Sequence, residues 1–163
     1  MCEKTWLRLR PATNADGPRV ADLVYAVLGE YGLQPDPECT DADLKDIEQS
    51  YLRRGGAFYV LEQDEGSIMG SYGLYPLEAG LCELRKMYLH RDYRGRGHGR
   101  RMLEDALTKA RQLGFQRITL ETASVLTEAI RLYERYGFQP YQPDHLSRRC
   151  DQAYLLSLEE NQP

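Results

Sequence analysis

The chain has 163 residues, of which 42% are hydrophobic and 28% are charged, and its formal net charge at pH 7 is −4. This length is enough for one domain with a substantial core, and the composition is ordinary for a globular protein. The negative charge does not favour nucleic acid as a partner, because the phosphate backbone attracts cationic proteins. No apolar run approaches the ~18 residues that span a membrane, and the N-terminus lacks the apolar stretch of a signal peptide. We therefore expect one domain over residues 1–163, with no nucleic acid and no membrane as partners.

The cysteines and histidines indicate neither a disulfide framework nor a metal site. The cysteines are scattered along the chain, at Cys2, Cys39, Cys82 and Cys150. They form no C-x-x-C pair, so we expect reduced thiols and a cytoplasmic protein. The histidines are His90, His98 and His145. Their spacing matches no metal-binding pattern such as H-E-x-x-H, and we expect no metal.

The first part of the chain predicts a strand followed by a helix. Apolar and polar residues alternate from Thr5 to Arg10, and Pro11 ends this strand. Thr13 or Asn14 can cap the following helix. The apolar residues of that helix recur at intervals of three and four, at Val20, Leu23, Val24, Val27 and Leu28.

A second helix is predicted to begin at Thr40, with Asp43 at the capping-box position, and to end at Gly55-Gly56. Its apolar positions are Leu44, Ile47 and Tyr51. The same region is acidic, with Asp36, Glu38, Asp41, Asp43, Asp46 and Glu48. Such a rim would attract a cationic amine, although a solvated helix face has the same composition.

Three strands are predicted next. Ala57 to Glu62 and Ser67 to Tyr75 are joined by the turn Asp64-Glu65-Gly66 and form a hairpin. A further strand runs from about Leu81 to Leu89. Along it, a period of two places four side chains on one face, unless a bulge shifts the alternation: Glu83, Arg85, Met87 and Leu89.

The second half of the chain alternates helices and strands. A helix from Arg100 to Leu113 has an apolar stripe and ends at Gly114. A strand over Arg117 to Thr122 precedes a helix with Leu126, Ala129, Ile130 and Tyr133 on one face. Two last strands are predicted over Phe138 to Gln142 and Asp151 to Leu158, and a frayed tail over 159–163. This order of elements predicts a mixed α/β fold.

A glycine-rich loop, Arg94-Gly95-Arg96-Gly97-His98-Gly99, lies between the strand that ends at Leu89 and the helix that follows. Glycines leave space for a ligand and allow positive φ angles. At a helix N-terminus, the free backbone N–H groups and the helix dipole attract an anion. The arginines at 94, 96 and 100 add positive charge, so the expected ligand is an anion such as a pyrophosphate.

Several kinds of loop have this composition. A P-loop needs Gly-Lys-Ser/Thr at its end, but Arg100 and Arg101 follow Gly99. A dinucleotide-binding loop needs G-x-G-x-x-G, and its third glycine would fall at Arg100. A plain strand-to-helix turn is a further alternative. The pattern Arg/Gln-x-x-Gly-x-Gly/Ala matches Arg94 to Gly99.

This pattern resembles the acetyl-CoA loop of the GCN5-related N-acetyltransferases, the GNAT superfamily. Glu83 to Leu89 is similar to the fourth strand of the family, and Tyr93 leads into the loop. Thirty residues after Gly99, Ala129 to Phe138 is similar to the signature A-x-x-L-Y-x-x-x-G-F. The strong resemblance covers residues 82–138, and the remainder agrees by element order. One position departs, because Leu126 stands where many members have an asparagine that contacts the CoA arm.

The resemblance implies the GNAT acyl-CoA N-acyltransferase fold. In that fold the central, mostly antiparallel sheet splays between strands 4 and 5, and helices cover both faces. It also implies an acetyl-CoA-dependent N-acetyltransferase that transfers the acetyl group directly to a primary amine, with acetyl-CoA as cosubstrate. The implied cofactor-binding positions are Met87, Tyr88, Leu89, Arg94, Gly95, Arg96, Gly97, His98, Gly99, Arg100, Leu126 and Tyr133.

Two residues are candidates for proton transfer. Glu83 matches the catalytic glutamate of the histone-acetylating members and is the candidate base, with an ion pair to a neighbouring cation as the alternative. Tyr133 is protonated at neutral pH and is the candidate acid for the leaving thiolate, with ordinary packing as the alternative. Backbone amides near Met87 and Leu89 are expected to contact the thioester carbonyl and the pantetheine.

The sequence does not specify the acceptor. A small-molecule amine and a protein amine both agree with it, and a homodimer is left open. Two other functions also stay open. One is a catalytically idle acyl-CoA sensor of the same fold, for which Leu126 leaves room. The other is a nucleotide-binding α/β module, which the glycine spacing disfavours.

Overall fold

The computed structural model describes residues 7–64 and 66–159, so the predictions for Cys2, Thr5 and the end of the C-terminal tail lie outside the described residues. Within these ranges the chain forms seven strands and three α-helices. The strands are β1 (Leu7–Pro11), β2 (Ala57–Gln63), β3 (Ile68–Glu78), β4 (Leu81–Leu89), β5 (Arg117–Thr122), β6 (Gln139–Tyr141) and β7 (Gln152–Ser157). The helices are α1 (Gly17–Glu30), α2 (His98–Gln112) and α3 (Thr127–Arg135).

The strands form one sheet in the order β1-β2-β3-β4-β5-β7-β6. Neighbouring strands are antiparallel except β4 and β5, which are parallel. The pairing of β4 with β5 covers only Leu81–Glu83 against Arg117–Thr119. Because both strands continue beyond this short ladder, they separate after Glu83. The predicted splay between the fourth and fifth strands is therefore confirmed, as is the mixed α/β fold.

Helices cover both faces of the sheet, as the resemblance implies. Side chains alternate across a strand, and β2 shows the consequence. Ala57 and Leu61 lie in a core formed with α2 and α3, whereas Phe58 and Val60 lie in a core formed with α1. The predicted apolar residues of α1 are all buried: Val20, Leu23, Val24, Val27 and Leu28.

The prediction of a second helix beginning at Thr40 is wrong. A 3-10 helix covers Ala42–Lys45, a π-helical turn covers Glu48–Leu52, and Asp46 between them is extended at φ −148° and ψ 84°. Carboxylates there bind backbone N–H groups at the ends of these short pieces. Asp36 accepts from the Thr40 N–H at 3.1 Å, and Asp46 accepts from the Gln49 N–H at 3.0 Å. The second of these bonds is an N-cap contact that starts a new helical turn after Asp46, so the predicted helix is divided at this residue.

A bulge in β4 overturns the expected alternation of its side chains. The pairing with β3 shifts between Ser71 and Gly73, and Lys86 has a φ of 54°. A bulge inserts an extra residue and reverses the side-chain pattern beyond it. Consequently Met87 and Leu89 pack on the α2 side with Cys82 and Leu84, whereas Glu83 and Arg85 face the opposite side. The prediction that Glu83, Arg85, Met87 and Leu89 share one face is wrong.

The remaining elements agree with the sequence to within a few residues. The β2–β3 hairpin, β5, the two last strands and the long helix after the glycine loop are present. Gly114, which was predicted to end that helix, has a φ of 89° just after it. In the part of the chain that the structure describes, no helix combines the length and apolar character needed to cross a membrane.

Candidate active site

Two cavities open where β4 and β5 separate. The first, here called the loop cavity, has a volume of about 440 Å³ and lies between the glycine loop, α2 and α3. The second, here called the carboxylate cavity, has a volume of about 430 Å³ and contains Glu83 and Glu121. Met87, Tyr88 and Leu126 line both cavities. The two cavities are therefore adjacent parts of one cleft, joined at these shared residues.

The glycine loop has the backbone geometry that an anion site requires. Gly95 and Gly97 have φ angles of 75° and 86°, which lie in the left-handed region that glycine adopts without strain. Gly97 is the N-cap of α2, so the first N–H groups of that helix have no partner within it. A Cβ on either glycine would meet no atom within 4 Å. The open space and the free donors fit a phosphate-bearing ligand.

The arginines of the loop are more occupied than the sequence suggests. Arg94 donates to the Leu89 carbonyl at 3.0 Å and pairs with Glu30 at 2.8 Å. Arg100 lies at the cavity wall and pairs with Glu104 at 3.0 Å. Arg96 lies 6.0 Å from the centre of the Tyr93 ring and does not line the loop cavity. The backbone N–H groups are therefore more available than these side chains to donate hydrogen bonds to an anion.

Two further cations line the loop cavity, and the sequence analysis missed both. Arg131 and Arg135 are exposed on α3 and face the cavity from the side opposite Arg94 and Arg100 on the loop and α2. They lie within the signature from Ala129 to Phe138, and their spacing of four places them on one helix face. That spacing was the signal available in the sequence.

Two other predicted cofactor positions, Leu126 and His98, have distinct surroundings. Leu126 precedes α3 and lines both cavities. His98 begins α2 but does not line the loop cavity. Burial and the nearby Arg101 and Arg96 lower its pKa below the usual range for histidine. Of the predicted positions, Arg96, His98 and Tyr133 are the ones that line neither cavity.

Tyr133 lies under the cleft rather than in its wall. Its side chain is buried, and its ring packs against Phe138 with a centroid distance of 5.7 Å. Burial, together with the neighbouring Tyr88, raises the pKa of Tyr133 above the usual tyrosine range. Within the described residues its hydroxyl makes no hydrogen bond. The phenol is therefore protonated, unpaired and close to Tyr88, which lines both cavities.

Glu83 is largely buried, at 9% exposure, and lies in the wall of the carboxylate cavity. Its carboxylate forms an ion pair with the Nε of Arg85 two residues along β4. The Arg85 guanidinium in turn lies 3.7 Å from the centre of the Tyr75 ring, a cation–π contact. The ion pair that the sequence analysis raised as the alternative role of Glu83 is thus present.

Glu121 is a second acid in the same cavity, and the sequence analysis did not single it out. It is half-buried on β5, and one of its oxygens accepts the Ser147 N–H at 2.9 Å. Burial raises the pKa of Glu121 above the usual range, and the Glu83 carboxylate adds to this effect. No ion pair involves Glu121 within the ranges 7–64 and 66–159. The sequence could not reveal that Glu121 shares a cavity with Glu83. The two residues lie on different strands, and the cavity forms only where these strands separate.

A buried charge cluster closes one side of the carboxylate cavity. The Lys86 ammonium lies 3.1 Å from Asp41 and 3.3 Å from Asp43, and it donates to the Thr40 carbonyl at 2.9 Å. Arg149 binds both oxygens of Asp41 at 2.7 Å. Burial opposes ionisation of Asp41, but these cations hold its pKa at about 2. The cluster fastens the bulge of β4 to the segment before Cys150.

The acidic residues that were predicted to attract an amine instead contact other residues of the chain. None of its six acids lines the carboxylate cavity. Asp41 and Asp43 belong to the buried cluster, and Glu38 pairs with Lys45. Asp46 and Glu48 bind Asn14. Neither a free amine-attracting rim nor a uniformly solvated helix face describes these residues.

Metal-ligand clusters and disulfides are absent from the part of the chain that the structure describes. No group of three histidine, cysteine, aspartate or glutamate side chains there could hold a metal ion. Cys39, Cys82 and Cys150 are free thiols. Burial raises the pKa of Cys82 to about 12, which makes its thiol unreactive at neutral pH.

Known proteins resemble this chain in sequence. The model of the acetyltransferase (GNAT) family matches residues 22–138. The Escherichia coli protein called uncharacterized N-acetyltransferase YjgM is 40% identical over 136 residues, which span 80% of this chain and 81% of YjgM.

Solved structures agree on the fold. An acetyltransferase of the GNAT family from Staphylococcus aureus has a TM-score of 0.88 and 20% identity, over 94% of this chain and 100% of that one. The yncA protein of Salmonella typhimurium, solved with its cofactor acetyl-CoA, has a TM-score of 0.72 and 22% identity, over 98% of both chains. The family match, the relative and the splayed sheet agree with the loop and A-x-x-L-Y patterns: the chain belongs to the acetyltransferase (GNAT) family.

Proposed function

We propose that the protein is an N-acetyltransferase that moves the acetyl group of acetyl-CoA directly to a primary amine. The observation that carries the proposal is the continuous cleft at the splay, with an anion-binding loop at one end and two carboxylates at the other. The phosphates of the cosubstrate need an anion-binding end, and the amine acceptor needs an end with a carboxylate. Direct transfer needs both reactants in one cleft, and alignment alone can supply roughly 7–11 kcal/mol of the barrier.

The residues of the loop cavity fit the cosubstrate. The free N–H groups after Gly97 would hold the pyrophosphate, aided by Arg100, Arg131 and Arg135. Backbone groups at Met87 to Leu89 would bind the pantetheine where β4 has lost its β5 partner. When bound there, acetyl-CoA supplies the acetyl group to the amine nitrogen, and its sulfur gains a proton.

Glu121 is the group that we propose takes the amine proton. A base near the operating pH is most effective, and burial raises the pKa of Glu121 toward that range. Glu83, the base predicted from the resemblance, is engaged by Arg85. We propose that Glu83 instead holds Arg85 and adds negative charge beside Glu121. The glutamine variants of these two residues test both assignments.

Tyr133 is the proposed acid for the departing thiolate. Its raised pKa keeps the phenol protonated at every pH at which the enzyme would work. Its hydroxyl has no competing partner among the described residues, so the proton is available once the phenol reaches the sulfur. Phe138 supports the ring, which favours a fixed donor position.

A direct assay tests the proposed function. The purified chain is incubated with acetyl-CoA and a panel of small amines, amino acids and lysine-containing peptides, and release of free CoA thiol is followed. An amine-dependent release that exceeds the amine-free control supports the enzyme. Tight CoA binding without release for any amine would instead support the sensor that Leu126 leaves open. Absence of both binding and release would remove the proposal.

A further inference from the structure

The charged side chains that line the carboxylate cavity cancel except for two. The cavity wall contains six such residues: Glu83, Arg85, Lys86, Glu121, Arg148 and Arg149. Glu83 and Arg85 pair with each other. Lys86 and Arg149 are matched by the buried Asp41 and Asp43. The Glu121 carboxylate and the Arg148 guanidinium are left without a charged partner. The cavity therefore offers a ligand one negative and one positive group.

The two remaining charges belong to adjoining parts of the wall but do not neutralise each other. Glu121 is bound by the N–H of Ser147, the residue next to Arg148 in the chain. Consecutive Cα atoms are only about 3.8 Å apart. Both side chains line the carboxylate cavity, yet they form no ion pair within 4.0 Å in the described part of the chain. The Glu121 carboxylate and the Arg148 guanidinium are therefore more than 4.0 Å apart, and neither neutralises the other directly.

Arg148 stands where the cavity opens. It is exposed, whereas Glu121 is half-buried. It also lines a neighbouring cavity of about 410 Å³, together with Leu33, Asp36 and Thr40. The pKa of Asp36 is lowered mainly by hydrogen bonds from Thr40 and only to a smaller degree by Arg148. Arg148 forms no ion pair within 4.0 Å in residues 7–64 and 66–159, so its fork of donors is free.

We infer that the acceptor is a small primary amine that also carries a carboxylate, with its ammonium at Glu121 and its carboxylate at Arg148. This inference rests on the proposed function and names the substrate class of that site. An arginine fork binds a carboxylate through two parallel hydrogen bonds. Its single positive charge matches a carboxylate better than a doubly charged phosphate. The separation of more than 4.0 Å leaves room for one ligand to contact both groups.

A protein amine is the competing acceptor, and the wall of the cavity argues against it. The segment that carries Ser147, Arg148 and Arg149 is fastened over the cavity by the Arg149–Asp41 pair. A lysine side chain of a protein would bring no carboxylate to Arg148. Such an acceptor would leave the free guanidinium without a partner and gain nothing from it.

Matched acceptors provide the test. Initial rates of CoA release are compared for 4-aminobutyrate and 4-aminobutanamide, for glycine and glycinamide, and for a lysine-containing peptide. A hydrogen bond to a charged group typically changes an equilibrium by about tenfold to a hundredfold. We therefore expect the KM of the carboxylate to be at least about tenfold below that of its amide.

The variant Arg148→Gln should bring the two KM values together while its melting temperature stays unchanged, because the side chain is exposed. Arg148→Lys should recover part of the difference. Arg8→Gln is the matched control, since Arg8 is 73% exposed on β1 and lines neither part of the cleft. Equal KM values in the wild type, an unchanged ratio in Arg148→Gln, or preference for the peptide would overturn the inference.

Failure of the enzyme can be told apart from failure of this inference. If no amine releases CoA, the proposed function fails, and calorimetry on the CoA-loaded chain then compares 4-aminobutyrate with 4-aminobutanamide directly. Preferential binding of the carboxylate, lost in Arg148→Gln, would support the inferred ligand class without transfer. Equal or absent binding of the pair would overturn it.

Discussion

The loop cavity and the carboxylate cavity meet at Tyr88, but they are built in different ways. The loop cavity is formed by contiguous stretches, the glycine loop with the start of α2 and the A-x-x-L-Y segment of α3. The carboxylate cavity combines β4, β5 and the segment from Leu146 to Cys150, which are far apart in sequence. In our proposal, the first binds its ligand through backbone geometry, and the second through side-chain charge. The loop cavity is therefore visible in local sequence patterns, whereas the carboxylate cavity depends on the assembled fold.

The largest expected effect is on kcat, and it distinguishes the role of Glu121 from that of Glu83 in the carboxylate cavity. Glu121→Gln keeps the shape of the side chain but removes the base, so kcat should fall about 10²–10⁴-fold. Glu83→Gln should cost less, because Glu83 acts through its pair with Arg85. In the wild type the rate should fall as pH drops through the raised pKa of Glu121, which lies above the ordinary 4.5, with Glu83 and Arg85 as the charges facing it.

Steady-state kinetics across pH on both variants check this prediction. The acid limb of the profile should disappear in Glu121→Gln and persist in Glu83→Gln. If Glu83→Gln shows the larger loss and loses the acid limb, Glu83 is the base and our assignment of Glu121 is wrong.

The buried charge cluster beside the carboxylate cavity should contribute strongly to the stability of the protein. Lys86→Met leaves Asp41 and Asp43 without the central cation, and breaking a buried pair in this way typically costs about 3–5 kcal/mol. Lys45→Met is the control, because Lys45 is 57% exposed and its partner Glu38 is 86% exposed. An exposed pair contributes about 0–1 kcal/mol. Urea unfolding of the two variants measures the difference, and equal losses would contradict the structural role of Lys86.

Tyr133 lies below the boundary between the cavities and should affect chemistry alone. Tyr133→Phe keeps the ring against Phe138 and deletes the hydroxyl. We expect kcat to fall about 10²-fold, with CoA affinity and melting temperature unchanged because the hydroxyl has no partner among the described residues. A loss confined to CoA affinity would show that the hydroxyl orients the cosubstrate, and an unaltered kcat would leave Tyr133 a packing residue.

A matched pair of glycine variants distinguishes the loop from an ordinary turn. Gly97 and Gly114 have φ angles of 86° and 89°, and a Cβ on either meets nothing within 4 Å. Valine at either position should therefore cost a similar amount, about 1–3 kcal/mol of backbone strain. Only Gly97→Val should also weaken CoA binding, because Gly114 lies at the far end of α2. Equal CoA dissociation constants in the two variants would reduce the loop to a turn.

The same contrast explains what the sequence predicted and what it did not. Arg94 to Gly99 and Tyr133 lie in short patterns, so the loop, its helix and the splay were predicted correctly. The bulge at Lys86, where φ is 54°, could not be predicted from the local sequence. The side chain of Lys86 is held there by Asp41 and Asp43, which lie more than forty residues away. The same bulge moved Met87 away from the face of Glu83. The second helix was also predicted as continuous, but Asp46 is extended and caps a new turn, a break that the apolar spacing does not show.

Calorimetric titration of the purified chain with acetyl-CoA tests most directly whether the loop cavity holds the cosubstrate. We predict one site per chain, weakened in Gly97→Val and retained in Gly114→Val. We also predict that acetyl-CoA at 100 times its dissociation constant raises the free energy of unfolding by about 2.7 kcal/mol. No heat of binding and no stabilisation at saturating acetyl-CoA would contradict the account.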